Sequence, residues 1–381
     1  MYFGVEFENT KGFCVTGTEC LLDLTFALDS LSDEESKCIQ IPEDFNMDGA
    51  KLQGQVYGTL SGNPQWVKLS SISRALENVP QNKSDPNKVL MFFTEPVQTA
   101  LKSGPQKLRY SFSLPTWLPP SYRGVGVRFL YHVSFTLTET VGFKEGSIKT
   151  VVVKAPFQVI APYFSNGEMI DWTDHAGIVS LDSKFVSISD NPELMYQQKG
   201  LEVGLTDEDL MPIDMVESLP FSRAAAVFSR LSRGICTSFK EGGKNLLRLN
   251  METIAFAPGS TVCGYLDFSS ASRACHAVNA RLLCVEVLSE TISTNKTSST
   301  TVSETTVMTG SGMLVPFTLT IPFDATQEFQ TKEVRVFWAL QFTLTLLHPK
   351  HATTVQVTNA ETAMFHQQIH VLHPTFPSPP I

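Results

Sequence analysis

Two long stretches of alternating apolar and polar residues limit what this chain can fold into. In VRFLYHVSFTLT (127–138) every second residue from Val127 to Leu137 is apolar, and VRVFWALQFTLTL (334–346) alternates in the same way. A period of two, with β-branched and aromatic residues in the majority, is typical of a half-buried β-strand and not of a helix. The two stretches predict a core strand in each half of an all-β protein.

The segments around these two strands also repeat in the same order. The matching pairs are SFSLP (111–115) with PFTLTIP (316–322), APFQVIAP (155–162) with QQIHVLHP (367–374), and FCVTGTECLLDLTF (13–26) with FAPGSTVCGYLDF (256–268). Ordered repetition indicates two copies of one domain, and a length of 381 residues is enough for two cores. We therefore predict tandem β-sandwiches at residues 1–163 and 223–376.

Between the two predicted domains the composition changes sharply. Residues 164–218 contain twelve Asp or Glu against two Lys, in a chain whose net charge is −9. Such a run is typical of a solvated, flexible segment, so we predict an acidic linker at 164–222. A contact for a basic partner surface is the alternative interpretation.

Two further segments have biased compositions. Residues 291–312 are almost all small and polar and predict a long disordered Ser/Thr-rich insertion in the second domain, with hydroxyls that a kinase could phosphorylate. Residues 377–381 end the chain as a Pro-rich tail, which lacks the flanking basic residues of a typical SH3 ligand.

Composition excludes several functional classes. The negative net charge disfavours a nucleic-acid binder, which needs a basic surface to displace counterions. No run of 18 apolar residues is present, and the start MYFGVEFENTKGF does not have the form of a signal peptide. The seven cysteines form no CxxC pair, so we expect reduced, buried thiols in a cytosolic protein.

The sequence offers little for catalysis or for cofactor binding. It contains no GxSxG, GxxxxGK[ST] or GxGxxG motif. His366, His370 and His373 come close together, but in a strand the third would face away from the first two, so we predict no metal site. We expect no catalytic residues and no cofactor, and an enzyme is the least favoured class.

SLPFSRAAAVFSRLSRG (218–234) has the pattern of a short basic helix with a narrow apolar face. A helix packed on the second sandwich is one interpretation, and a docking helix for a partner or an anionic membrane surface is the other. On the docking interpretation the candidate contact residues are Arg223, Phe228, Arg230, Leu231 and Arg233.

LPPSYRG (118–124) precedes the first long strand and contains Pro-Pro-Ser-Tyr, the form of a WW-domain ligand. The segment could instead be the turn that leads into that strand. The residues concerned are Pro119, Pro120, Tyr122, Arg123 and Gly124. The adaptor hypothesis requires the first interpretation.

Four blocks together resemble one family of the arrestin-like clan. They are GVEFENTKGFCVTGTECLLDLTFAL (4–28), LPPSYRGVGVRFLYHVSFTL (118–137), APFQV (155–159) and FAPGSTVCGYLDF (256–268). The chain is similar to the Rgp subunit of the Ric–Rgp complex, a guanine-nucleotide exchange factor for a Golgi Rab GTPase of the Rab-six class. The resemblance covers both predicted domains but not the linker or the insertion.

The resemblance implies two tandem arrestin-like sandwiches and a function that spacing alone could not suggest. The chain would be a non-catalytic scaffold subunit, partnered by a large β-propeller and α-solenoid Ric-type subunit. The complex would sit peripherally on Golgi membranes, promote GDP release from the Rab, and support endosome-to-Golgi and intra-Golgi vesicle traffic. The resemblance also implies that LPPSYRG leads into a core strand. An arrestin-type or retromer-type cargo or ubiquitin-ligase adaptor, using the PPSY motif, is the alternative.

Overall fold

The computed structural model describes residues 1–7, 12–28, 37–69, 72, 87–139, 149–161, 169–170, 172–188, 233–293, 297–310, 313–347 and 361–372. These residues form two compact units, one within Met1–Ala161 and Ile170–Ser218 and the other within Pro162–Met169 and Leu219–Pro380. Strands make up nearly all of their regular structure, with one 3-10 turn at Thr173–His175. The predicted all-β fold class is therefore confirmed.

Fourteen strands lie among the described residues of the first half of the chain. In chain order they are β1 (Tyr2–Phe7), β2 (Phe13–Val15), β3 (Glu19–Ala27), β4 (Lys37–Gln40), β5 (Lys51–Gly62), β6 (Lys88–Thr94), β7 (Val97–Ala100), β8 (Gln106–Ser113), β9 (Tyr122–Arg123), β10 (Val127–Thr138), β11 (Thr150–Ile160), β12 (Met169–Ile170), β13 (Gly177–Val179) and β14 (Ser183–Ser187).

The first unit is a sandwich of two sheets. One has the order β14-β8-β3-β1-β4, and the other has the order β13-β6-β5-β10-β11-β2 with β7 paired to β5 and β9 to β10. Phe135 of β10 meets residues of the facing sheet edge-on, with ring centroids 5.4 Å from Tyr110 and 6.2 Å from Phe3. The alternate residues of β10 that the sequence predicts to be apolar are thus the ones that fill this core.

Ten strands are described in the second half. They are β15 (Ile235–Glu241), β16 (Lys244–Met251), β17 (Ala255–Phe256), β18 (Thr261–Asp267), β19 (Cys275–Leu288), β20 (Thr297–Met308), β21 (Leu314–Thr320), β22 (Phe329–Thr331), β23 (Val334–Leu346) and β24 (Glu361–Val371).

The second unit is also a sandwich with its own core. A four-stranded sheet, β15-β16-β18-β21, faces a larger sheet in which β22, β23, β19 and β20 follow one another and β24 pairs with β23. Phe317 of β21 packs edge-on against Phe342 of β23, with ring centroids 5.1 Å apart. Trp338 is buried in the same core and donates its indole N–H to the Thr326 carbonyl at 3.0 Å.

The acidic linker predicted at 164–222 needs correction where the structure describes it. Gly177–Val179 pairs in parallel with β6, and Ser183–Ser187 pairs with β8, so both strands extend the sheets of the first unit. Phe185 of β14 lies 4.9 Å from the Tyr110 ring. Net charge misled the prediction here because the acidic residues of this stretch flank the strands. Residues 164–168, 171 and 189–222 lie outside the described part of the chain.

The disordered insertion predicted at 291–312 is wrong over most of its length. Thr297–Met308 forms β20, which pairs with β19 from Val287 back to Ala277. A Ser/Thr-rich composition is typical of loops, but threonine is β-branched and also suits an exposed edge strand. The Pro-rich tail at 377–381 lies outside the described residues.

Candidate functional site

LPPSYRG is built into the first sandwich. Tyr122 and Arg123 form β9 and pair with Phe129 and Arg128 of β10, and the Gly124 N–H donates to the Val127 carbonyl at 2.9 Å to close the turn. Pro119 and Pro120 are buried, and the Tyr122 side chain is only 7% exposed.

Hydrogen bonds from neighbouring strands hold the same segment. The Ser121 N–H donates to the Val159 carbonyl at 2.9 Å, while the Val159 N–H donates to Ser121 Oγ at 2.8 Å. The Tyr131 hydroxyl donates to the Pro119 carbonyl at 2.6 Å. A WW domain needs the two prolines and the tyrosine on a free backbone. In this structure the two prolines and the tyrosine are buried in the sandwich, so they do not form a free ligand for a WW domain.

The predicted basic helix falls mostly outside the described residues. Arg223, Phe228, Arg230 and Leu231 are among the residues that the structure does not describe. Arg233 is described and exposed, two residues before β15 begins. The structure therefore neither assembles these five residues into a surface nor separates them.

The second unit presents an exposed apolar row on its four-stranded sheet. Leu314 and Pro316 lie on the outer face of β21, and Tyr265 of β18 lies opposite Pro316. Leu314 is 60% exposed and Tyr265 is 46% exposed. Cys236 of β15 lies on the same face and is separated from Tyr265 by the polar Asn250, which opposes both residues. We call Cys236, Tyr265, Leu314 and Pro316 the apolar row.

Sequence reasoning missed the apolar row, although a signal was present. LVPFTLT (314–320) carries buried Val315, Phe317 and Leu319 on one face, and the residues between them include Leu314 and Pro316. A strand with apolar residues on both faces at one end indicates a surface that is covered in an assembly.

Three described cysteines, Cys14, Cys275 and Cys284, do not have the environment of reactive thiols. Burial raises the pKa of Cys275 to about 11 and that of Cys284 to about 12, so both remain protonated at neutral pH. Cys14 is buried as well, and its pKa is raised chiefly by that burial. Cys236 and Cys263 are exposed instead, because they point outward from the four-stranded sheet, which corrects the expectation of buried cysteines for these two.

The two described histidines of the C-terminal cluster have other partners. His370 Nδ1 lies 2.8 Å from Glu328 Oε1, and His366 Nε2 lies 3.1 Å from Gln341 Nε2. No group of three His, Cys, Asp or Glu side chains comes together within the described ranges. The same ranges hold no helix with the length and apolar character to cross a membrane.

Comparison with protein families gives a match in the second half of the chain. Residues 235–347 match the Rgp1 family model, from the first residue of β15 to the residue after β23. No curated protein matches the chain. Of the four blocks that carry the resemblance in the sequence, the one at 256–268 lies inside the matched segment. The match supports that resemblance, and residues 235–347 are similar to the Rgp1 family.

Proposed function

We propose that this protein is the non-catalytic scaffold subunit of a Rab guanine-nucleotide exchange factor that acts at the Golgi in endosome-to-Golgi and intra-Golgi vesicle traffic. The observation that carries the proposal is the match of residues 235–347 to the Rgp1 family. The partner is a large Ric-type subunit with β-propeller and α-solenoid parts, and the substrate is a Golgi Rab GTPase of the Rab-six class. The subunit is cytosolic and reaches Golgi membranes peripherally, through the complex.

Nucleotide exchange is compatible with a chain of this kind. GDP and Mg²⁺ are held by the switch regions of the GTPase, and release follows when a protein surface distorts them. Exchange involves no covalent step, so the factor needs complementary surfaces and not a nucleophile or a general base. A sandwich with a rigid core and an exposed apolar row is suited to holding such surfaces in position.

The apolar row is our proposed contact for the large subunit. Soluble monomers rarely expose contiguous apolar patches, whereas subunit interfaces are enriched in aromatic residues and depleted of charge at their centres. Tyr265 offers an exposed aromatic ring and Leu314 an exposed aliphatic side chain, although Asp267 lies opposite Leu314. The basic residues Arg223, Arg230 and Arg233, with Phe228 and Leu231, are the proposed second contact, on the strength of the sequence pattern alone.

The test begins with gentle purification of the tagged full-length protein from its own cells. We expect a stoichiometric propeller-containing subunit to accompany it, and the complex to accelerate GDP release from the Golgi Rab while the chain alone does not. Recovery of ubiquitin ligases, retromer-like subunits or cargo receptors in place of that subunit would contradict the proposal and favour the adaptor hypothesis.

The proposed interface is tested by a pair of variants of one sheet face. Tyr265→Ser combined with Leu314→Ser removes the exposed apolar groups, whereas Thr318→Ala changes an exposed residue further along β21. We expect the double variant to lose the large subunit on purification and the control to retain it, with both keeping the Tm of the wild-type chain. Full retention of the subunit by the double variant would exclude this face as the contact.

A further inference from the structure

The eight-stranded sheet of the first unit carries charge of only one sign. Its eight strands contain five Lys or Arg residues and no Asp or Glu. The five are Lys51, Lys88, Arg123, Arg128 and Lys154. The other sheet of the same unit mixes both signs and pairs Asp23 with Arg109 at 2.8 Å. The uneven distribution is notable in a protein whose net charge is −9.

Three of these cations lie in one row across the outer face. Lys88 opposes Ser61, Ser61 opposes Arg128, and Arg128 opposes Arg123 of β9. Both arginines are exposed, and neither guanidinium forms an ion pair within the described part of the chain. Like charges directly opposite each other on neighbouring strands destabilise a sheet. An anionic ligand bound at Arg123 and Arg128 would offset this repulsion.

A groove of about 490 Å³ lies beside this row. Lys88 and Lys154 border it, and its other lining residues are mostly apolar, aromatic or small hydroxyl side chains. Tyr57 and His132, opposite each other on β5 and β10, form the centre of the floor with rings stacked 5.1 Å apart. Leu90 and Leu130 lie between this aromatic pair and the cationic row.

The dimensions of the face suit a short extended segment. Along β10, Arg128, Leu130, His132 and Ser134 all point outward, and Lys154 opposes Ser134. Same-face residues are about 7 Å apart along a strand, so the cationic row and Lys154 are separated by about 20 Å. That distance corresponds to about six residues of extended chain. A ligand of this length would meet cations at both ends and an apolar floor between them.

We propose that this groove binds an extended acidic peptide segment of a partner protein, with carboxylates at Arg123, Arg128 and Lys154 and an apolar or aromatic side chain on the Tyr57–His132 floor. A flat lipid surface would meet the rim without reaching a recessed floor. Single-stranded nucleic acid would need ring faces for base stacking, and Tyr57 and His132 already stack on each other. Charge complementarity calls for an anionic ligand, and the recessed floor with its stacked rings favours the peptide over the other two.

The groove lies outside the segment that matches the Rgp1 family, so this proposal does not depend on the exchange-factor function. The probe is a fluorescein-labelled nine-residue peptide of alternating Glu and Leu with one central Phe, and its control carries Lys in place of every Glu. Fluorescence anisotropy with the full-length chain should show binding of the Glu peptide that weakens as salt rises. Equal binding of the two peptides, or no binding at about 1 mM, would overturn the proposal.

Charge-reversal variants locate the site. We expect Arg128→Glu to weaken binding of the Glu peptide about tenfold or more, because it places a carboxylate in the cationic row. Lys107→Glu makes the same change at an exposed position of β8 in the other sheet and should alter binding less than about twofold. The Tm of Arg128→Glu should equal or exceed that of the wild type, since the variant relieves the Arg123–Arg128 repulsion.

Two competing ligands are measured with the same proteins. Phosphatidylserine vesicles and oligouridine should bind Arg128→Glu at least as strongly as they bind Lys107→Glu. If either of them binds in an Arg128-dependent way and the Glu peptide does not, the groove is a lipid or nucleic-acid site and the peptide assignment is wrong.

Discussion

At the scale of the residue, Tyr122 separates two accounts of the LPPSYRG segment. Its side chain is buried, so Tyr122→Ala should cost about 2–4 kcal/mol of unfolding free energy through the lost apolar contacts and the cavity left behind. The exposed neighbour Arg123 provides the control, and Arg123→Ala should change stability by less than about 0.5 kcal/mol. Urea unfolding of the full-length chain measures both. A WW-binding activity that Tyr122→Ala abolished at unchanged stability would restore the adaptor hypothesis.

His132 makes stability depend on pH in a defined direction. Burial, reinforced by the charge of Lys154, lowers its pKa from 6.5 to about 4. The unfolded chain therefore takes up a proton at this residue between pH 6.5 and pH 4 that the folded chain does not. Stability falls as the pH drops through this window, by about 1.4 kcal/mol per pH unit at the steepest, and is fully present above pH 6.5.

The residues that line the groove around His132 support this prediction. The charged and titratable groups of its groove are Lys88, Lys154 and Tyr57, and the pKa of Tyr57 is raised by burial. No carboxylate lines that groove among the described residues, so nothing there would favour the imidazolium form. Urea unfolding from pH 7 to pH 4.5 should show a shallower pH dependence for His132→Gln than for the wild type or for His366→Gln. Identical slopes in all three proteins would contradict the assignment.

At the scale of the element, β20 allows a test of whether a Ser/Thr-rich segment forms a paired strand. Successive N–H groups of a strand point to opposite sides, so of two adjacent residues only one donates to β19. Ser299 opposes Val285 and Thr300 opposes Cys284. We expect one of Ser299→Pro and Thr300→Pro to cost about 1–3 kcal/mol more than the other, because only one removes a ladder hydrogen bond.

Hydrogen exchange measured on the 297–308 segment of the wild type checks the same point without a substitution. Slow exchange of about every second amide is expected for an edge strand, whose remaining N–H groups face away from its partner. If both proline variants were as stable as the wild type and the whole segment exchanged at the rate of a free peptide, β20 would not be a paired strand in solution.

The elements that sequence reasoning found and missed differ in a physical way. β10 and β23 were predictable because each buries one whole face, which enforces apolar alternation over twelve or thirteen residues. β20, β13 and β14 were not, because edge strands bury little and their sequences are constrained by backbone pairing, which composition does not reveal. The candidate sites also differed in how far sequence could predict them. The turn of LPPSYRG was foreseeable, but the cations on the outer face of β10 required knowledge of strand register.

At the scale of the whole molecule, total charge concealed a local property. The −10 contributed by residues 164–218 exceeds the net −9 of the chain, so the remainder is close to neutral. The net charge of the chain disfavours a nucleic-acid binder, yet one sheet of the first unit carries only cationic side chains. Net charge bears on solubility and long-range attraction, whereas recognition depends on how charges are placed on one surface. The two quantities have to be considered separately in this protein.

The two sandwiches should unfold as separate cooperative units. Each has its own pair of sheets and its own core, with Phe135 fully buried in the first and Phe342 in the second. Phe→Ala at either position removes a large buried side chain at a cost of about 3–5 kcal/mol. For a unit of this size the corresponding shift in Tm is about 10 °C.

Calorimetry of the full-length chain should therefore show two transitions. Phe135→Ala should lower one of them and Phe342→Ala the other, because a cavity destabilises only the core that contains it. Addition of the large subunit should raise the transition that Phe342→Ala lowers, since a ligand stabilises the unit to which it binds and the apolar row lies on the second unit. A single transition that both variants lower equally would mean that the two cores unfold as one body.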